Sequence, residues 1–121
     1  MRRFWGLLLL PYLVFLALMT KKHLQVNRPG SIRIGGAVPE GITFRDGVIC
    51  VKTATGLTFF SDRCTHLGCR INQADGDRLV CPCHGSVFAF DGSVEKGPAK
   101  DGLKRLAYQF DRDNDEIIVE L

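Results

Sequence analysis

Two short runs carry residues able to hold a metal, Cys64-Thr65-His66-Leu67-Gly68-Cys69 and Cys81-Pro82-Cys83-His84-Gly85-Ser86. Each offers a thiol and an imidazole at fixed, close spacing, Cys64-x-His66 and Cys81-x-x-His84. Two thiolates and two imidazoles make either a tetrahedral Cys2His2 zinc site or a mixed-ligand [2Fe–2S] centre, with the cysteines on one iron and the histidines on the other. Zinc leaves Cys69, Cys83 and the Gly-Ser after His84 without a role. In the iron–sulfur alternative, neutral imidazoles replace two anionic thiolates. An added electron is then less strongly repelled, and the potential lies far above that of an all-cysteine cluster. Two groups that bind and release protons also sit on an iron that changes oxidation state.

At these residues the chain resembles the Rieske iron–sulfur proteins of the cytochrome bc1 and b6f complexes, whose pattern is C-T-H-x-G-C and C-P-C-H-G-S. The resemblance covers about Val48 to Leu121. It implies one Rieske [2Fe–2S] cluster, held by Cys64 and Cys81 on one iron and by His66 and His84 on the other. It implies a disulfide between Cys69 and Cys83, and Leu67, Gly85, Ser86, Phe88 and Pro98 close around the cluster. His66 and His84 are then expected at the domain tip, where they accept a hydrogen bond and a proton from quinol. Ser86 matches a family serine that donates to a bridging sulfide, and Gly97-Pro98-Ala99 matches the family's proline loop. Phe88 stands where the family often has a tyrosine that donates to a cysteine ligand. Without that hydroxyl a lower potential is expected.

The implied role is the electron-transfer subunit of a bc-type quinol:cytochrome c oxidoreductase, with cytochrome b, a c-type cytochrome and quinol as partners. With no haem motif the chain is not expected to be a complete enzyme alone. The alternatives are a small Rieske relay subunit of another exported oxidoreductase, similar to that of arsenite oxidase, a Rieske ferredoxin, or the zinc module. Rieske ferredoxins and oxygenases share the four ligands but usually lack the second cysteine pair.

These loops need a scaffold and a place. The chain has 121 residues and a net charge of +3. Residues 1–30 hold Arg2, Arg3, Lys21, Lys22 and Arg28 and no acid, whereas the rest has 11 basic and 13 acidic side chains. The basic end reads as membrane flanks, not as a nucleic-acid surface. Phe4 to Met19 is an uncharged run of 16 residues. That length is at the short end for a membrane-spanning helix, and no small-x-small cleavage site follows it. The expected organisation is a signal anchor and transmembrane helix over 1–20, a tether over 21–36 and the cluster domain over 37–121. The disulfide requires an oxidising compartment. The chain is therefore expected to be a single-pass protein of a bacterial-type inner membrane, with its domain on the periplasmic, outer side.

From Ile42 onward the pattern is one of short β-runs broken by turn residues. Val48–Lys52 and Leu57–Phe60 flank Thr53-Ala54-Thr55-Gly56. Ile71-Asn72 and Arg78–Val80 flank Ala74-Asp75-Gly76-Asp77. Leu103–Asp111 and Glu116–Leu121 form a last hairpin. The pattern reads as all-β, and the resemblance implies a small Rieske-type antiparallel β-sandwich with two cluster-binding loops, to which the N-terminal helix is added. Cys50, within Val48-Ile49-Cys50-Val51, reads as a buried free thiol.

Overall fold

The computed structural model describes residues 11, 13–16, 18 and 30–121. Residues 11, 13–16 and 18 are helical and exposed. Among the described residues no helix is long and apolar enough to cross a membrane. Most of the segment expected to be the anchor lies outside the described residues.

The rest is all-β, with eleven strands in three sheets. The first sheet has the order β1 (Ser31–Gly35), β11 (Glu116–Glu120), β10 (Tyr108–Asp111). The second is β2 (Gly41–Arg45), β3 (Val48–Thr53), β4 (Gly56–Ser61), β9 (Arg105–Leu106). The third is β5 (Gln73–Asp75), β6 (Arg78–Val80), β7 (Val87–Ala89), β8 (Val94–Lys96). Neighbours in the second and third sheets, and β10 with β11, pair antiparallel.

The antiparallel β-sandwich expected from the sequence is built from three sheets, and strand β3 of the second sheet buries both its faces. Successive strand side chains point to opposite faces. Val48 and Cys50 of β3 join a core with Ile34, Phe59, Ile117 and Val119. Ile49 and Val51 join a second core with Phe60, Ile71, Leu79 and Phe88. A strand covered on both sides reads as a continuous apolar run, which accounts for Val48-Ile49-Cys50-Val51. Cys50 is fully buried and free. Burial pushes its thiol pKa up, as expected of an inert core thiol.

Turn chemistry sets the register. Asp46 and Gly47 have φ of 47° and 88° between the paired residues Arg45 and Val48. Positive φ at both positions is the two-residue hairpin geometry that Asp-Gly favours. The β3–β4 hairpin closes over Ala54 and Thr55, with Thr53 paired to Gly56.

Three segments differ from the sequence reading. Residues 31–35, assigned to the tether, form β1, and Ile34 is 2 % exposed. Residues 21–29 of that tether lie outside the described residues. Leu103–Asp111 is not one strand. It breaks at Ala107, so that β9 pairs with β4 and β10 with β11. Ile71 is buried ahead of β5 instead of lying in a strand.

Candidate metal centre

The two motif runs fold by one rule. In the first, the Cys64 N–H donates to Cys69 O at 2.8 Å and the Gly68 N–H to Cys64 O at 2.8 Å. In the second, the Cys81 N–H donates to Ser86 O at 2.9 Å and the Gly85 N–H to Cys81 O at 3.1 Å. Each loop is a six-residue turn that starts at a cysteine and closes through a glycine at its fifth position. Gly68 and Gly85 have φ of 76° and 71°, a conformation that costs a side-chain-bearing residue strain and glycine none. The glycines of C-T-H-L-G-C and C-P-C-H-G-S are therefore required by the backbone path.

The loops bring the chemistry together. Cys64 and Cys81 are buried free thiols. Burial pushes the Cys64 thiol pKa up and the adjacent Cys81 sulfur adds to the rise, while the His66 backbone N–H and the Ser86 hydroxyl oppose it. The rings of His66 and His84 stand edge to face, 5.0 Å between centroids. The Nδ1 of His66 is buried and has no hydrogen-bond partner. Such an orphaned nitrogen is costly to bury unless something else binds it, and iron is a fitting acceptor of its lone pair. Two thiols and two imidazoles, one of them carrying this orphaned nitrogen, fit a mixed-ligand [2Fe–2S] cluster. Cys69 and Cys83 form a disulfide that links one loop to the other, with Cα atoms 6.5 Å apart. The Cys81 sulfur lies within 4.8 Å of both sulfurs of that bond.

A strap over residues 96–104 fastens both loops. The Ala99 N–H donates to Ser86 Oγ at 3.2 Å, and the Thr65 hydroxyl donates to Asp101 O at 2.6 Å. Gly97 has φ 101°, and a Cβ there would meet Ser86 Cα at 2.5 Å. The residues on either side of Pro98 thus lie against the second loop at Ser86. The strap is anchored behind by Leu103 N–H to Gly92 O and by Ser61 N–H to Lys104 O. The contacts of Thr65 and Asp101 were not read from the sequence. The placement of Thr65 between Cys64 and His66 was the one available signal.

Other predicted residues fall as follows. Ser86 and Phe88 are fully buried, and Phe88 shares a core with Cys64 and Cys81. Leu67 is 70 % exposed beside half-buried His66, and His84 and Gly85 are exposed. At the neck of the first loop, Arg63 and Arg70 form a β-bridge and both pair with Asp62, at 3.7 and 2.9 Å. Arg63 also donates to Gly68 O. An open groove of about 750 Å³, lined in part by Thr53, Thr55, Tyr108 and Phe110, contains none of the cysteines or histidines. The histidines lie outside that groove, His84 exposed and His66 half-buried.

The family model of the Rieske [2Fe-2S] domain matches residues 15–107. The cytochrome b6-f complex iron-sulfur subunit of Chlorobaculum thiosulfatiphilum is 40 % identical over 75 residues, 61 % of this chain and 40 % of that protein. The cytochrome b-c1 complex subunit Rieske, mitochondrial, of Saccharomyces cerevisiae is 48 % identical over 58 residues, 46 % of this chain and 26 % of that one. The chain therefore spans well under half the length of these relatives. The crystal structure of the cyanobacterial plasma membrane Rieske protein PetC3 from Synechocystis PCC 6803 superposes with a TM-score of 0.53 at 33 % identity, covering 76 % of this chain and 87 % of that one.

Proposed function

Since this chain belongs to the Rieske [2Fe-2S] domain family, we propose that it is the electron-transfer subunit of a bc-type quinol:cytochrome c oxidoreductase. When bound, a Rieske [2Fe–2S] cluster supplies a one-electron acceptor and donor of raised potential. In this reading Cys64 and Cys81 hold one iron and His66 and His84 the other. The observation that carries the assignment is the buried, unpartnered Nδ1 of His66, set beside His84 and in the same fold as the Cys64–Cys81 pair.

In this reading the exposed His84 accepts a hydrogen bond from a quinol hydroxyl and then its proton. Exposed Leu67 offers an apolar contact for the same encounter. Ser86, through its hydroxyl near Cys64, and the Cys69–Cys83 bond hold the ligand loops in one geometry. A surface site suits a relay that meets two partners in turn, cytochrome b with its quinol and then a c-type cytochrome. Support for this class over a ferredoxin or an arsenite oxidase-like relay comes from the b6-f and b-c1 relatives. Residues 1–20 complete the reading as a membrane anchor, on the strength of the uncharged Phe4–Met19 run, with the domain on the oxidising side.

The test is purification of the full chain with its native partners from membranes, followed by EPR during a redox titration. A reduced-state Rieske signal in a fraction that contains cytochrome b is expected. The single substitutions C64A, H66A, C81A and H84A are each expected to abolish the signal, whereas C50A keeps it. Stoichiometric zinc with no signal would overturn the reading, and a signal travelling with a molybdenum subunit would move it to the other oxidoreductase class.

A further inference from the structure

Three sulfurs stand together at the junction of the two loops. Those of Cys69, Cys81 and Cys83 all lie within 4.8 Å of one another, and two of them are already bonded. The third belongs to a free thiol that the loop backbone holds in place, through Cys81 N–H to Ser86 O and Gly85 N–H to Cys81 O. A thiolate beside a disulfide attacks one of its sulfurs and displaces the other. We propose that Cys81, when it is not bound to iron, exchanges into the Cys69–Cys83 disulfide and so closes the metal site. This rests on the reading of Cys81 as an iron ligand.

The step balances without an oxidant. The Cys81 thiolate attacks Cys69 Sγ, the Cys69–Cys83 bond breaks, and a Cys69–Cys81 bond forms. Cys83 leaves as a thiolate and takes up the proton that Cys81 gave up. One disulfide and one thiol of these three cysteines exist before and after. Cys83 is the exposed member of the pair and Cys69 the half-buried one, so the displaced charge emerges at the surface where water solvates it. Attack on Cys83 instead would close a ring over Pro82 alone, whose locked φ leaves that ring little freedom. Cys50 belongs to the other core and takes no part.

The consequence is an order of assembly. Iron binding consumes the Cys81 lone pair and removes the nucleophile. The reaction that inserts the cluster therefore has to precede the reaction that oxidises Cys69 and Cys83. A chain oxidised first loses a ligand, and a thiol reductant restores it.

The experiment strips iron from the purified, oxidised full-length chain with a chelator in detergent. The chain is then incubated without reductant, its free thiols are alkylated, and disulfides are mapped by mass spectrometry. A Cys69–Cys81 link with alkylated Cys83 is expected to grow with time. The fraction of chains carrying it should equal the fraction that cannot regain the Rieske EPR signal until reductant is added. C81S, stripped and treated alike, should retain only Cys69–Cys83. A stripped chain that keeps Cys69–Cys83 alone, with Cys81 alkylated, would overturn the proposal. So would a scatter of links through Cys50 and Cys64, which marks exchange in an unfolded chain. The loaded chain is the separate control: exchange there as well would refute Cys81 as a ligand while leaving the exchange itself intact.

Discussion

At Phe88 one missing atom is expected to set a property of the whole site. Its ring is fully buried, paired across strands with Leu79 and packed in the core that holds Cys64 and Cys81. A hydrogen bond to a cysteine ligand stabilises the extra negative charge of the reduced state and raises the potential. Phe88→Tyr is expected to raise the midpoint by tens of millivolts, measured by EPR-monitored titration. An unchanged or lower midpoint would show that the phenol does not reach a sulfur. Residue types at this scale were legible in the sequence, because motif spacing fixes which side chains meet. The hydroxyl of Ser86 was legible only in part. Its acceptance of the Ala99 N–H depends on a strap thirteen residues away, and no local pattern encodes that contact.

At the scale of elements, the two loops are turns of the same design joined by a covalent link. The Cys69–Cys83 bond closes a separation of 14 residues that contains the β5–β6 hairpin. A cross-link of about this span stabilises by roughly 3 kcal/mol in the chain-entropy account. The double variant C69S/C83S, loaded with its cluster, is expected to lose the visible absorbance at a clearly lower urea concentration than the parent. An unchanged midpoint would mean that the cluster alone holds the loops. Hairpins were the readable elements, since Asp-Gly and Thr-Gly turns sit between β-runs. Strand β1 was not. Ser-Ile-Arg-Ile-Gly alternates, but the run is short, bounded by Pro29-Gly30 and Gly35-Gly36, and its sheet partner β11 is more than eighty residues away. The break at Ala107 was hidden for a similar reason: two different sheets, not a turn signal, divide the run.

For the whole molecule, the first sheet joins the two ends of the described domain through charge as well as backbone. Arg33 of β1 reaches Asp111 of β10 at 3.2 Å and Glu116 of β11 at 2.9 Å. The Asn114 side chain foremost, with backbone N–H groups and Arg33, holds the Asp111 carboxyl below the usual aspartate range. A carboxylate whose pKa is lower folded than unfolded adds stability that is fully present above the unfolded value. That stability is lost as pH falls through the folded value. D111N is therefore expected to be less stable than the parent near neutrality, and the difference should shrink below about pH 4. Thermal unfolding across that range checks this, and a constant difference would show that charge at Asp111 plays no part. The three-sheet organisation itself was only half legible. The fully apolar stretch of β3 signals burial on both faces, but which sheets cover it is decided by pairings between distant segments.

The strap over residues 96–104 has a consequence for how much length the fold can absorb. It is pinned at Ser86 through Ala99, at Thr65 through Asp101, and at Gly92 through Leu103. One extra residue after Pro98 is therefore expected to shift the later attachments out of phase. The β5–β6 turn at Gly76 and Asp77 is exposed and unattached to the strap, and exposed turn tips are where insertions are tolerated. A glycine inserted after Pro98 is expected to cost the chain its cluster absorbance, while one inserted after Gly76 leaves it intact, and the reverse result would sink the idea. Related domains can thus grow at their hairpin tips, but the span that bridges the two metal loops keeps a fixed length.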